Sequence, residues 1–83
     1  MTTYETKIWG QKYAIRADFA QASDNIEVYS DNSGEWQSCG MQVADFCHNW
    51  RDAFRWFLTD DEDEDKIDMH EVDAAINNSI ILD

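Results

Sequence analysis

The sequence predicts an α+β fold: a small antiparallel three-stranded meander over residues 1–43, followed by two helices packed on one face over residues 44–83, all in a single domain. Three observations predict it. Apolar side chains recur every second residue as far as Val43, they recur at spacings of three and four beyond it, and stretches rich in Asp, Asn, Ser and Gly separate the segments. At 83 residues the chain is near the size at which one core only just outweighs chain entropy, which leaves no room for a second.

Taken in order, Tyr13, Ile15, Ala17 and Phe19 fall on one face of a first strand between Thr6 and Phe19, with Lys12, Arg16 and Asp18 on the other. Gly10 marks a break or bulge after Ile8 and Trp9 that allows two short strands instead. Gln21 to Asn25 reads as a turn, and Ile26 and Val28 alternate with Glu27 and Tyr29 in the next strand. Asp31-Asn32-Ser33-Gly34 supplies side chains that bond their own backbone and a glycine free to take positive φ, so it closes a hairpin. The last strand starts at Glu35-Trp36 and runs to about Val43, with Gly40 as a weak point or bulge.

The helical period then takes over. Val43, Phe46, Cys47, Trp50, Phe54, Phe57 and Leu58 form the apolar stripe of a helix over about Ala44 to Thr59. Its start has two readings: Asp45 caps it, or Asn49 caps a shorter helix with Asp52 at the third position. Trp56 lies off the stripe beside Arg55, as a contact residue or as one covered by a neighbouring loop. Asp68 and Glu71 have capping-box spacing, with Ile67 and Val72 as the hydrophobic staple, so a second helix starts at Met69. Met69, Val72, Ile76 and Ile80 would form its apolar face, and the tail Ile80-Ile81-Leu82 is expected to pack back on the sheet.

Composition narrows function. Four Trp, four Phe and three Tyr argue for a folded chain, because disordered acidic chains are poor in aromatics. Eighteen Asp and Glu against six Lys and Arg give a formal charge of −12. That charge disfavours direct binding to nucleic acid or to an anionic membrane and points to basic proteins or cations. The N-terminal residues lack a basic stretch followed by an apolar one and no apolar run approaches a membrane span, so a cytoplasmic protein is expected. Two cysteines, Cys39 and Cys47, are too few to staple a small secreted domain and are expected as reduced, partly buried thiols. With His48 and His70 they show no zinc-type spacing, and Cys47, placed on the apolar stripe, reads as an inert buried thiol. No phosphate loop or catalytic constellation stands out, so no enzyme and no cofactor are expected.

The feature that a plain small domain would not need is the run Asp60, Asp61, Glu62, Asp63, Glu64, Asp65, followed by Asp68, Glu71 and Asp73. From Asp60 to Asp73 only Lys66 opposes it. B-DNA presents a charge about every 3.4 Å along each strand, or about every 1.7 Å with both strands counted. An acidic run places one about every 3.3 Å when extended and about every 1.5 Å when helical, so either form matches that linear density. Asp18, Asp24, Glu27, Asp31 and Glu35 would widen the negative surface. The plain alternative is a solvated linker between two helices.

A calcium loop is a further reading, with Asp60, Glu62, Glu64, Asp68 and Glu71 at EF-hand positions 1, 3, 5, 9 and 12. It fits less well. Asp65 stands where the sharp turn wants Gly, Glu replaces shorter ligands at positions 3 and 5, and there is no second loop. Ile67 and Glu71 are also explained by the staple and the capping box.

In its small size, low cysteine content, α+β character and the acidic stretch Asp60 to Asp73, the chain resembles the anti-CRISPR and other DNA-mimic inhibitors of phages and mobile elements. The resemblance lies in overall character, with no motif matched residue by residue. It implies a protein in the host bacterial cytoplasm that occupies the basic nucleic-acid groove of a CRISPR-Cas effector or related nuclease, with no cofactor. On that reading Asp60, Asp61, Glu62, Asp63, Glu64, Asp65, Asp68 and Glu71 supply charge and Trp56 an anchor. An antitoxin or adaptor for another basic protein is the alternative.

Overall fold

A computed structural model of the chain describes residues 1–59 and 67–82. They form one five-stranded antiparallel sheet and two helices. The strands are β1 (Thr2–Ile8), β2 (Gln11–Ala17), β3 (Asn25–Ser30), β4 (Gln37–Gln42) and β5 (Ile80–Leu82), in spatial order β4-β3-β2-β1-β5. A 3₁₀ turn (Val43–Phe46) leads toward helix α1 (Trp50–Thr59), and α2 (Met69–Asn77) precedes β5. The α+β class is as expected, but the sheet has two more strands than the three-stranded meander.

One extra strand comes from the segment read as starting at Thr6. It is a hairpin, with Ile8 paired to Gln11 across a two-residue loop of Trp9 (φ 56°) and Gly10 (φ 75°). Positive φ at both loop residues is what a type I′ turn requires, and that turn matches the twist of the strands it joins. Glycine accepts this geometry freely, and Trp9 is carried into it by the pairing on either side. The other extra strand is the tail. Ile80, Ile81 and Leu82 lie opposite Glu5, Tyr4 and Thr3 and extend the sheet in its own plane instead of packing on its face. At Gly40 (φ 78°) the expected weak point is present, and the β3–β4 register shifts between Asn25 and Glu27.

The single helix expected from Ala44 is two elements. After the 3₁₀ turn, Cys47 (φ 53°) and His48 (φ 61°) are both left-handed, which stops a helix from running through. His48 Nδ1–H donates to the Phe19 carbonyl at 2.9 Å and holds the kink. Asn49 Oδ1 then accepts the Arg51 N–H at 3.0 Å, so the shorter helix with an Asn49 cap is the one that forms. Asp68 caps α2 as expected, accepting from the N–H groups of His70 and Glu71.

Both helices cover one sheet face. Tyr4, Ile8, Ile15, Ala17 and Ile26 meet Val43, Phe54, Leu58, Val72 and Ile76 in the core. Tyr4 stacks on Trp50 with ring centroids 3.9 Å apart. The apolar face proposed for α2 shifts: Val72, Ala75 and Ile76 are buried, whereas Met69 is exposed and Ile80 belongs to β5. Thr6, the buried polar residue on β1, donates its hydroxyl to the Ala75 carbonyl at 2.7 Å and ties β1 to the end of α2. Among the described residues no helix is long and apolar enough to cross a membrane.

Candidate functional site

The acidic run joins the two helices, and both of its flanks are anchored. Leu58, in the last turn of α1, is buried, and Ile67, just before α2, packs against the core. Asp60, Asp61, Glu62, Asp63, Glu64 and Asp65 themselves lie outside the described residues. The structure therefore gives the frame that carries them: two short helices, fastened to the sheet by an apolar face and to each other by arginines.

Those arginines also decide how much negative charge the frame leaves open. Arg55 on α1 reaches Asp73 on α2 with Nη2 at 2.9 Å and Nε at 3.1 Å, and its Nη1 lies 3.9 Å from Asp52. Arg51 donates to Asn77 Oδ1 at 2.6 Å and lies over the Trp50 ring, 4.8 Å from its centroid. Asp52 and Asp73 are thus partly neutralised. Asp68 and Glu71 are exposed, although one carboxylate oxygen of Asp68 is occupied by the α2 cap. Both cap bonds go to Oδ1 of Asp68, so the cap does not occupy its second oxygen.

Trp56 does not stand clear of the surface. It is half-buried, with its ring 5.8 Å from that of Phe46. The 3₁₀ turn brings Phe46 to it, so a neighbouring segment covers part of the indole. Cys47 differs from the buried thiol expected on the apolar stripe: it ends the 3₁₀ turn in a left-handed conformation and is exposed. Cys39 is partly buried, and burial pushes its thiol pKa up.

Several acids expected to widen the negative surface have local duties. Asp24 accepts the Asp18 N–H at 2.6 Å, Asp31 accepts the Lys12 N–H at 2.8 Å, and Glu27 pairs with Arg16 at 3.2 Å. The first two close loops. Glu27 belongs to a cluster on the sheet face away from the helices. There Arg16 lies over Trp36 at 4.1 Å and Lys12 over Tyr29 at 5.0 Å. The period of two placed these residues on a common face, but the pairing of cation to ring depends on a register that only the folded sheet supplies. Lys7 and Lys12 sit directly opposite on β1 and β2. Three of the six basic residues, Lys7, Lys12 and Arg16, thus belong to the uncovered face, whereas the exposed Asp68 and Glu71 belong to α2 and its cap.

Among the described residues no three His, Cys, Asp or Glu side chains gather as a metal site. Asp60, Glu62 and Glu64 of the calcium-loop reading fall outside those residues, and Asp68 and Glu71 belong to the first turn of α2 and its cap. In comparisons with known proteins, no family model matches the chain, and no curated protein or solved structure matches it.

Proposed function

We propose that this chain is a non-enzymatic inhibitor that sets its acidic helical side into the basic nucleic-acid-binding groove of a CRISPR-Cas effector or related host nuclease and, by mimicking DNA, blocks target DNA there. One observation carries the reading: nine of the fourteen residues from Asp60 to Asp73 are acidic, and the run joins two helices packed to a common core. Anchoring at Leu58 and Ile67 limits the entropy lost when the run meets a partner. Three of the six basic residues, Lys7, Lys12 and Arg16, lie on the uncovered sheet face, and Arg51 and Arg55 on the helical side are engaged by Asn77, Asp52 and Asp73, which lowers the opposition to a positive groove. A negative patch steers encounter with such a groove, and the competition is steric once the groove is filled.

Neutralising Asp61, Glu62, Asp63 and Glu64 together to Asn and Gln tests the reading. At about 0.2–1 kcal/mol for each exposed ion pair, four lost pairs weaken binding by roughly 4- to 700-fold. The fold is retained or stabilised, because like charges are removed from one another's neighbourhood. Unchanged affinity for the effector in a folded quadruple variant removes the charge argument.

A further inference from the structure

A tryptophan stands in the two-residue turn between β1 and β2. Trp9 takes φ 56° there, at a position where Asn, Asp or Gly is favoured and a bulky side chain costs conformational energy. It is also 39% exposed, so burial in the core does not account for a tryptophan at this place. The indole instead walls a cavity of about 280 Å³, whose lining includes Gln11, Tyr13, Asn32, Phe57 and Leu58. The rings of Trp9 and Phe57 stand at 85° and 73° to the Tyr13 ring, with centroids 6.1 Å and 5.8 Å from it.

We propose that this cavity is an arginine site, which receives one guanidinium of the basic protein that the acidic segment meets. The proposal rests on the reading above for the owner of that arginine, and on the cavity for the chemistry. At about 280 Å³ the cavity falls below the roughly 300–1,000 Å³ of small-molecule sites, and a single side chain suits it. Its rings favour a cation, because the face of an aromatic ring carries negative potential. Among the described residues no Lys or Arg lines it. Lys7 and Lys12, next to Ile8 and Gln11 in the register, fall on the opposite sheet face, where Lys12 lies over Tyr29. Phe57 and Leu58 belong to the last turn of α1, which has no basic residue, and the C-terminal end of a helix favours positive charge. Asp60, two positions beyond Leu58, opens the acidic run.

The amides select arginine over other side chains. Gln11 Oε1 accepts from the Tyr13 hydroxyl at 3.3 Å and has a second lone pair for a partner's N–H, and Asn32 brings another amide. A guanidinium stacks on aromatic rings, spreads its donors in a rigid fork and is more weakly hydrated than the ammonium of lysine. An apolar side chain would cover the amides without pairing them.

The test is an NMR titration of the isotope-labelled full chain with a capped Gly-Arg-Gly peptide, up to about 10 mM at physiological salt. The shifts are expected to saturate and to concentrate at the Trp9 indole N–H and the side-chain amides of Gln11 and Asn32. The matching lysine peptide binds more weakly, and the citrulline peptide, of the same shape without the charge, does not saturate. Trp9→Asn keeps the turn, since Asn accepts positive φ, and weakens the arginine peptide by about 5-fold. Equal shifts with the arginine and lysine peptides, shifts spread over the acidic surface, or a Trp9→Asn variant that binds as wild type overturn the site. The titrations use no effector, so the two readings fail separately. A pull-down indifferent to salt refutes the functional reading and leaves the arginine shifts in place, whereas absent shifts refute the site and leave the acidic run. With a captured effector, Trp9→Asn is expected to weaken binding by a similar factor, and wild-type affinity overturns the partner arginine.

Discussion

Thr6 and Ser79 share a single acceptor, and separating their contributions tests how β1 holds the end of α2. The backbone N–H groups of Asn78 and Ser79 go to Ala74 and Ile76, which leaves the Ala75 carbonyl to the Thr6 hydroxyl at 2.7 Å and the Ser79 hydroxyl at 3.3 Å. Thr6→Val keeps the side-chain shape and removes the shorter bond, for a loss of about 1 kcal/mol. Ser79→Ala removes the longer bond and costs about 0.5 kcal/mol or less. Either single variant leaves the carbonyl one partner.

The double variant leaves it none, and an unsatisfied buried carbonyl costs about 1–3 kcal/mol. The double loss is therefore expected to exceed the sum of the singles by about 0.5–1.5 kcal/mol. Urea unfolding of the four proteins at fixed pH measures it, with equal m-values as the check that the unfolded state is unchanged. In a domain of this size each kcal/mol also moves Tm by about 4–8 °C. Additivity within about 0.3 kcal/mol would refute the reasoning, because it would mean that the carbonyl is satisfied from elsewhere.

Two further predictions concern single residues. Asp68→Ala removes the α2 cap and is expected to destabilise the fold by about 0.5–2 kcal/mol in urea unfolding, whereas Asp68→Asn keeps an acceptor and stays near wild type; equal losses in both would show that charge, and not the cap bond, matters there. At neutral pH, Cys47 should be alkylated well before Cys39, since Cys47 is exposed and burial raises the Cys39 pKa and lowers its thiolate fraction. Because the folded-state pKa of Cys39 is raised, the neutral thiol adds stability that is present below the ordinary thiol pKa and is lost as pH rises toward the folded value. Unfolding monitored above pH 9 should show this loss in wild type and not in Cys39→Ser.

The sequence carried the fold where its signals were long and consistent, and lost it where a few residues obeyed tertiary demands. The alternation through Ile15 and Ala17 and the change of period after Val43 were legible because each face repeats over several residues. The hairpin at Trp9-Gly10 was only half legible, since tryptophan seldom takes the positive φ that the type I′ turn imposes on it. Nothing in Cys47-His48 announces two left-handed residues. They are held by a bond from His48 to Phe19, 29 positions away, and so the helix appeared to begin too early. β5 was missed as a strand because three apolar residues carry no period, and its partner β1 lies at the other end of the chain. Of the candidate site, Asp68 and its cap were legible from the spacing to Glu71. The contact of Trp56 with Phe46 was not, because it depends on the 3₁₀ turn that replaces the first part of the expected helix.

The acidic helical side is proposed to bind a basic nucleic-acid groove. The most direct measurement of that binding is a pull-down of the tagged chain from a nuclease-treated bacterial lysate that contains CRISPR effectors, washed at low and at high salt. The retained effector is identified and then assayed for target-DNA binding. Capture of an effector or nuclease that has lost its DNA binding is expected, with retention falling as salt rises, because exposed charge pairs are screened. Retention that is indifferent to salt, or capture of a protein with no nucleic-acid groove, would contradict it.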